Sequence, residues 1–399
     1  MKIFASIFSI HFIFLLLCNC SNPKTETSPN IIYQNQLQSL QSIPFGDSNY
    51  FDTCYFIKPE ADSNSFIVEI TQMEIFDNKI FIWDRQTEKV SVFNFTGKHL
   101  TNFGQKGRAP KEYSSLSGFC IHPHDSTIQL FDPLMGSVKK YSLKGEYINS
   151  IKHTNKDLCF INKAQMLNSD KMFCYYSSNW EGNYVFSVID ISDYNQQEPI
   201  LTYPYQSSKG RSYTLSNQPY VLFNNTITYI KPFSNTIYTY ADQESKPYFT
   251  LQNKKDINYA LLKNRLKEND GNYYKVTQNL LSENLYNSGF LNIFENNRFL
   301  LIDFMTPLSM PQAILWDKKK KDGVHIQNYS THYPDLQLFK TSHENSVICV
   351  WNRDAIEALK KDISSLKKHN YPEIVKKTID QFNEEKDNPI LIFFHLKNK

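Results

Sequence analysis

A repeat of 48 residues constrains this chain more than any other feature. Ile80-Phe81-Ile82-Trp83-Asp84 recurs as Ile128-Gln129-Leu130-Phe131-Asp132. Val90-Ser91-Val92-Phe93 recurs as Val138-Lys139-Lys140-Tyr141, and Gly97-Lys98-His99-Leu100 as Gly145-Glu146-Tyr147-Ile148, at the same offset. Three matched segments in one register mark a supersecondary unit that must stack on copies of itself to bury its apolar face. In the second unit, strands fall near 117–121, 128–131, 138–142 and 147–152. Between them lie His122-Pro123-His124-Asp125-Ser126, Pro133 to Ser137 and Lys144-Gly145, all rich in turn formers. Four short strands per period of roughly 40 to 50 residues is the arithmetic of a β-propeller blade.

The period continues. Apolar strands near 172, 227, 299 and 347 join those at 80 and 128, which makes six blades. The step from Ile227 to Ile237 repeats the step from Ile80 to Val90. The widest gap, 227 to 299, holds Ile257, Leu261, Leu262 and Leu266 at helical spacing, with a similar pattern over 276–285. A second helical pattern places Ile356, Leu359, Ile363 and Leu366 on one face, and Pro372 opens another helix through Phe382. The run 388–396 reads as a strand completing the last blade, and an N-terminal strand within 52–57 or 65–70 would help close the ring. Closure matters because it removes the sheet edges that invite aggregation. Composition agrees: 25 Tyr, 29 Phe and 4 Trp against 12 Gly suit pleated, half-buried strands, and Phe93, Tyr141 and Tyr240 occupy one repeat position. The fold expected is all-β: a six-bladed β-propeller over 50–399 with four-stranded antiparallel blades and two small helical insertions, about 256–287 and 354–386.

The first 20 residues carry one charge, Lys2, before an apolar run from Ile3 to Leu17. That run is short for a membrane span and has the layout of a secretory signal. It ends in Leu17-Cys18-Asn19-Cys20-Ser21, which resembles a bacterial lipobox, where a Cys thiol receives a diacylglyceryl group. Cys20, with Leu17 at −3 and Asn19 at −1, is the lipidated residue expected over Cys18. This makes 1–19 a lipoprotein signal peptide. Residues 20–49, with Pro23, Pro29 and Pro44 among Ser, Thr, Asn and Gln, read as a flexible tether.

The run 80–97 resembles an NHL-type blade: apolar strand, Asp, turn, apolar strand, Gly. Phe103-Gly104-Gln105-Lys106-Gly107-Arg108-Ala109-Pro110-Lys111-Glu112-Tyr113 resembles the Gly-Arg-Gly-Pro-Gly-Glu-Tyr segment of the six-bladed β-propeller lipoproteins of Bacteroidota, with Ala109 and Lys111 in place of two glycines. The resemblance covers most of the mature chain. It implies architecture and an outer-membrane lipoprotein, periplasmic or surface-facing, but no established reaction.

Candidate sites are few. Arg108, Glu112 and Tyr113 are the candidate ligand contacts; the same loop also reads as a rigid crossover with an Arg–carboxylate pair and a packed Tyr113. It lacks the Gly-Lys-Ser/Thr ending of a phosphate loop. His122-Pro123-His124-Asp125 is a turn rather than a metal set, and Asp84 and Asp132 read as caps of strand-end turns. Cys54, Cys120, Cys159, Cys174 and Cys349 imply no disulfide framework, although Cys159 and Cys174 could pair. No catalytic residue, metal ligand or cofactor is identified.

A net charge of +3 over 399 residues argues against a nucleic-acid partner. The leading expectation is a lipid-anchored binding or scaffold protein of the cell envelope that presents a propeller face to a peptide, glycan or protein. The rival is a lactonase-, lyase- or hydrolase-like propeller enzyme with a metal in its central channel. That would need acids, amides or histidines converging from the innermost strands, where 69–75 offers Glu69 and Glu74 and 117–121 little.

Overall fold

The matched repeats form matched pairs. Ile80 lies opposite Phe93, Ile128 opposite Tyr141, and Ile227 opposite Tyr240. All six side chains are buried, so one register puts one aliphatic–aromatic pair at the heart of three blades. The structure is a computed structural model that describes residues 29–37, 39–176, 184–203, 205, 218–252, 259–283, 289–305, 311–327, 339–361, 372–383 and 386–397.

Six antiparallel meanders follow in chain order. Blade 1 runs Gln72–Phe76, Lys79–Asp84, Lys89–Asn94, His99–Phe103, and blade 2 runs Gly118–His122, Thr127–Asp132, Ser137–Ser142, Tyr147–Lys152. Blade 3 runs Ile161–Met166, Lys171–Tyr176, Tyr184–Asp190, Gln197–Thr202, and blade 4 runs Tyr220–Phe223, Thr226–Ile230, Thr236–Ala241, Glu244–Gln252. Blade 5 runs Phe290–Glu295, Phe299–Met305, Pro311–Asp317, Asp322–Ile326. Blade 6 takes Thr341–His343, Ser346–Trp351 and Ile390–Leu396 from the C-terminal end, then Phe51–Ile57 from the N-terminal end. The six-bladed propeller read from the repeat is therefore the fold, and the N-terminal closing strand is 51–57 rather than 65–70. Six apolar clusters, one between each pair of neighbouring blades, form the core.

The chain before the closing strand differs from the tether expected over 20–49. Asn30–Tyr33 pairs in parallel with Glu244–Gln252 as a fifth strand of blade 4, and Ser42–Ile43 pairs in parallel with Asp322–Ile326 as a fifth strand of blade 5. Ile32, Leu37, Ile43 and Phe45 are buried. From residue 30 onward this stretch is a belt around the rim of blades 4, 5 and 6. Its few apolar residues suffice because an edge strand needs one apolar residue on its inner face, while its backbone groups find partners in the neighbouring ladder.

The last blade is locked to the first by Asn388, which is fully buried. Its amide accepts from the Ile67 backbone N–H at 2.7 Å and donates to the Glu60 and Ser65 carbonyls at 2.9 Å each. Gly97 makes the close approach on this path possible. Its φ is +85°, and a Cβ there would lie 2.3 Å from the Lys58 carbonyl oxygen.

The two faces are unlike. In each blade the turns after the first and third strands share one face, while the loops after the second strand and between blades share the other. The first face is tight: Asp77-Asn78, Asn224-Asn225 and Asp242-Gln243 all have positive φ at two successive residues, the signature of two-residue hairpins. The second face carries the long connections and both helical insertions. Helices Tyr259–Glu268 and Tyr273–Ser282 bury Leu262, Leu266, Val276 and Leu280 against blades 3 and 4. Helices Arg353–Lys361 and Glu373–Gln381 bury Ile356, Leu359, Val375 and Ile379 against blades 5 and 6. Ile363 and Leu366 lie outside the described residues.

Candidate functional site

The innermost strands of a propeller face one another across its axis, so their polar side chains meet. Lys163, on the inner strand of blade 3, is almost wholly buried. A buried ammonium requires a counter-charge and acceptors. It has Glu74 of blade 1 at 3.0 Å and donates to Gln218 Oε1, before blade 4, at 3.2 Å. Gln218 in turn donates to Ser342 Oγ of blade 6, and its backbone N–H donates to Asn292 of blade 5 at 2.9 Å. The Tyr220 ring lies beneath the Lys163 ammonium, 5.8 Å from its centroid. Inner strands of five blades are thus tied by one polar chain across the channel. On the remaining side, Gln72 makes both an accepted and a donated bond to the Phe119 backbone, at 3.1 and 2.9 Å, joining blade 1 to blade 2.

This chain lines a cavity of about 380 Å³. Asn296, Asn297, Glu344 and Asn345, residues of the tight turns, line its outer part, so it reaches the tight-turn face. Glu295 on its wall is saturated by Lys318 at 2.9 Å, Thr228 at 2.6 Å and Tyr248 at 3.0 Å. Burial pushes the Tyr220 phenol well above its usual range, and the Glu74 charge adds to this. Burial lowers His343, which is neutral at pH 7. Lys340, just before the inner strand of blade 6, is lowered to about 8 by burial, with Lys163 and Arg85 adding repulsion and Glu69 opposing it. Among the described residues, no three His, Cys, Asp or Glu side chains are grouped to hold a metal ion.

The three candidate contacts from the sequence sit elsewhere, in the loop joining blades 1 and 2 on the long-loop face. Tyr113 is fully buried and its hydroxyl donates to the Glu88 carbonyl. Glu112 accepts from the Ala109 N–H at 2.8 Å and from Gln105 at 2.6 Å, and these bonds hold its carboxyl below the usual range. Gly107 makes room for that carboxylate, since a Cβ there would meet Glu112 Oε2 at 2.0 Å. Arg108 is exposed. The carboxylate partner of Glu112 is therefore loop backbone and Gln105, and of the three only Arg108 stands on the open surface.

The strand-end aspartates cap, as their positions suggest. Asp84 accepts from Val68 N–H at 2.7 Å and Gln86 N–H at 2.8 Å; Asp132 accepts from Ser114 N–H at 2.9 Å and Met135 N–H at 3.2 Å. Each fixes its own turn and the segment leading into its own blade. His122 lies at the end of an inner strand, bonded to the Ser169 carbonyl at 2.9 Å and 2.7 Å from Asp125. All five cysteines from Cys54 onward are free thiols, Cys159 and Cys174 included. Cys20 and Cys18 lie outside the described residues.

Lys163, Gln218, Tyr220 and Ser342 were not legible as a site. The repeat was anchored on the second strand of each blade, and the inner strand lies several residues upstream with little sequence identity between blades. The strand upstream of the anchor near 172 is Ile161–Met166, in which Lys163 is the one charged residue, beside Asn162 and Gln165.

A family described as "Domain of unknown function (DUF4934)" matches residues 30–395. The chain belongs to this family. The match begins at Asn30, where the rim belt begins. Among solved structures, the DUF4934 chain is similar to a Bacteroides fragilis protein described as a "Putative exported protein", at 18% identity and a TM-score of 0.70, covering 92% of this chain and 100% of that one. It is also similar to a member of the DUF4221 family from Bacteroides vulgatus, at 10% identity and a TM-score of 0.51, covering 87% and 97%. Both likenesses concern the fold. No curated protein matches. Among the described residues, no helix is long and apolar enough to cross a membrane.

Proposed function

We propose that this DUF4934 protein is a lipid-anchored binding protein of the bacterial cell envelope that offers the long-loop face of its propeller to a protein or peptide partner. The observation that carries the reading is the asymmetry of the two faces. Short tight turns edge one, whereas the other holds both helical insertions and the inter-blade loops, where binding functions concentrate. That face also exposes apolar side chains: Leu134 is 74% exposed and Ile374 50%, with Met135 and Val68 also open. Leu134 and Met135 are neighbours in one loop, and a bound partner would cover them. Arg108 stands at its border. The anchor rests on the Leu17 to Cys20 pattern, and the exported description of the similar Bacteroides fragilis protein supports a signal-led chain.

The test has two parts. With labelled palmitate in cells, the wild-type chain and Cys18→Ala should label and sediment with membranes, while Cys20→Ala should do neither; label retained in Cys20→Ala would overturn the anchor. Photo-crosslinking from position 134 should yield a discrete partner band, abolished by Ile374→Arg. No band from position 134, with bands from the tight-turn face instead, would overturn the choice of face.

A further inference from the structure

The turn after the second strand of blade 2 carries two exposed apolar side chains in succession, Leu134 and Met135. Hydrogen bonds fasten cationic segments beside it. Lys152 Nζ donates to the Met135 carbonyl at 2.8 Å, and the His153 N–H donates to the Gly136 carbonyl at 3.0 Å. Lys139, just beyond the turn, donates to the Pro110 carbonyl at 3.0 Å, and the Tyr141 hydroxyl donates to the Lys111 carbonyl. The loop 104–113 and Lys152 are thus held against blade 2 on either side of the turn. Leu134 and Met135 share this surface with Arg108, Pro110, Lys111 and Lys152, all exposed.

The charges here are sorted by depth. Asp132 is buried, capping the turn, and its charge offsets that of the buried Lys139. Lys106 is paired with Glu88. Asp157, beside Lys156, is buried. Glu112 is half-buried and bonded to the Ala109 N–H and Gln105 of its own loop. Three exposed cations, Arg108, Lys111 and Lys152, therefore stand against one inward-turned carboxylate. A guanidinium takes a carboxylate in a two-bond fork, and an ammonium takes it as a point charge. A bare anion would leave Leu134 and Met135 in water, whereas a peptide carrying an apolar side chain between acids covers both, and the flexible Met135 can repack against it. We propose that this surface of blade 2 docks an acidic peptide segment of a protein partner, with an apolar side chain on Leu134 and Met135 and flanking Asp or Glu carboxylates on Arg108, Lys111 and Lys152. This rests on reading the long-loop face as the binding face, and it names the chemistry of what binds there.

The test titrates the full chain, in an uncharged detergent, against three fluorescently labelled peptides that share a Leu-Phe core. One core is flanked by Asp and Glu, one by Asn and Gln, and one by Lys and Arg. Fluorescence anisotropy should show the acidic peptide binding about tenfold more tightly than the amide peptide, with no binding of the basic one. Raising salt to about 300 mM should weaken it. Arg108→Glu, Lys111→Glu and Lys152→Glu should each weaken it about fivefold, since each removes one exposed pair and adds one repulsion. Leu134→Asp should weaken it as well. Lys320→Glu, in a tight turn of blade 5, should change it by less than about twofold. Thermal melts show that each variant is folded, and three separate cations keep the test decisive if one variant is not. No binding of the acidic peptide, equal binding of the amide peptide, or binding unchanged in the folded charge variants would overturn the inference. A partner band crosslinked from position 134 that persists undiminished in the double variant Arg108→Glu, Lys152→Glu would sink this inference and leave the proposed function standing; acidic-peptide binding with no crosslinked partner in cells would do the reverse.

Discussion

Phe45→Ala separates a belt from a tether. Phe45 lies in a stretch whose composition reads as an unstructured leash, yet it is fully buried between blades 5 and 6. Its ring meets Phe394 edge-on at 4.7 Å between centroids and Phe51 at 5.2 Å, so it touches both strands that close the ring. Truncation removes roughly 150 Å² of buried apolar surface, worth about 4 kcal/mol at about 25 cal/mol per Å². This sits inside the range of about 3–5 kcal/mol typical of buried Phe→Ala changes. For a domain of this length the unfolding entropy is about 0.7 kcal/mol/K, so the melting temperature should fall by about 5 °C. Tyr33→Ala, at a belt position 48% exposed, is the internal control and should shift the melt by less than about 1 °C. Differential scanning calorimetry gives both numbers, and amide exchange should speed up across Phe51–Ile57 in Phe45→Ala alone. Equal melts for Phe45→Ala and wild type would refute the belt and restore the leash.

Asn388→Ala should destabilise the closure by about 3 kcal/mol or more, because it orphans the Ile67 N–H and two carbonyls together; urea melts measure it, and a loss under about 1 kcal/mol would count against the lock. Stability should also fall on acidification below pH 6.5. Burial lowers His325 from its ordinary 6.5, so the folded chain binds fewer protons than the unfolded one, and the stabilisation present above that value drains as pH falls toward the folded pKa. His325→Phe keeps the ring stacked on Phe304 and should flatten the decline in melting temperature between pH 7 and 5; an unchanged slope would assign that decline to other groups.

The parts of this structure that the sequence made legible are those repeated in register. Ile80 to Gly97 and its copy 48 residues on are alike because both sit in inter-blade cores that impose the same packing, so composition and spacing carry the signal. The belt was hidden for the opposite reason. Its strands are four and two residues long and depend on ladders made more than 200 residues away, a non-local gain that no local pattern records. The channel was hidden because each blade contributes one different polar residue: Glu74, Lys163, Gln218 and Ser342 share no type and no spacing. Glu112 shows the limit of motif matching, since the motif located the loop correctly but paired its carboxylate with an arginine, where Gln105 and backbone N–H groups take it instead.

The belt also bears on which way the propeller faces. A leash ending at residue 49 would let the domain roam about 100 Å from a lipid on Cys20, since an extended chain spans roughly 3.5 Å per residue. With Asn30 already in the rim ladder, the reach shrinks to about 35 Å. The rim strand runs parallel to the fourth strand of blade 4, and that strand heads toward the long-loop face. Asn30 lies opposite Phe249 and Tyr33 opposite Gln252, so the rim strand joins the last four residues of Glu244–Gln252, in its long-loop half. If Cys20 carries the lipid, as proposed, the tether leaves from the outer rim of blade 4, and the attachment itself covers neither face.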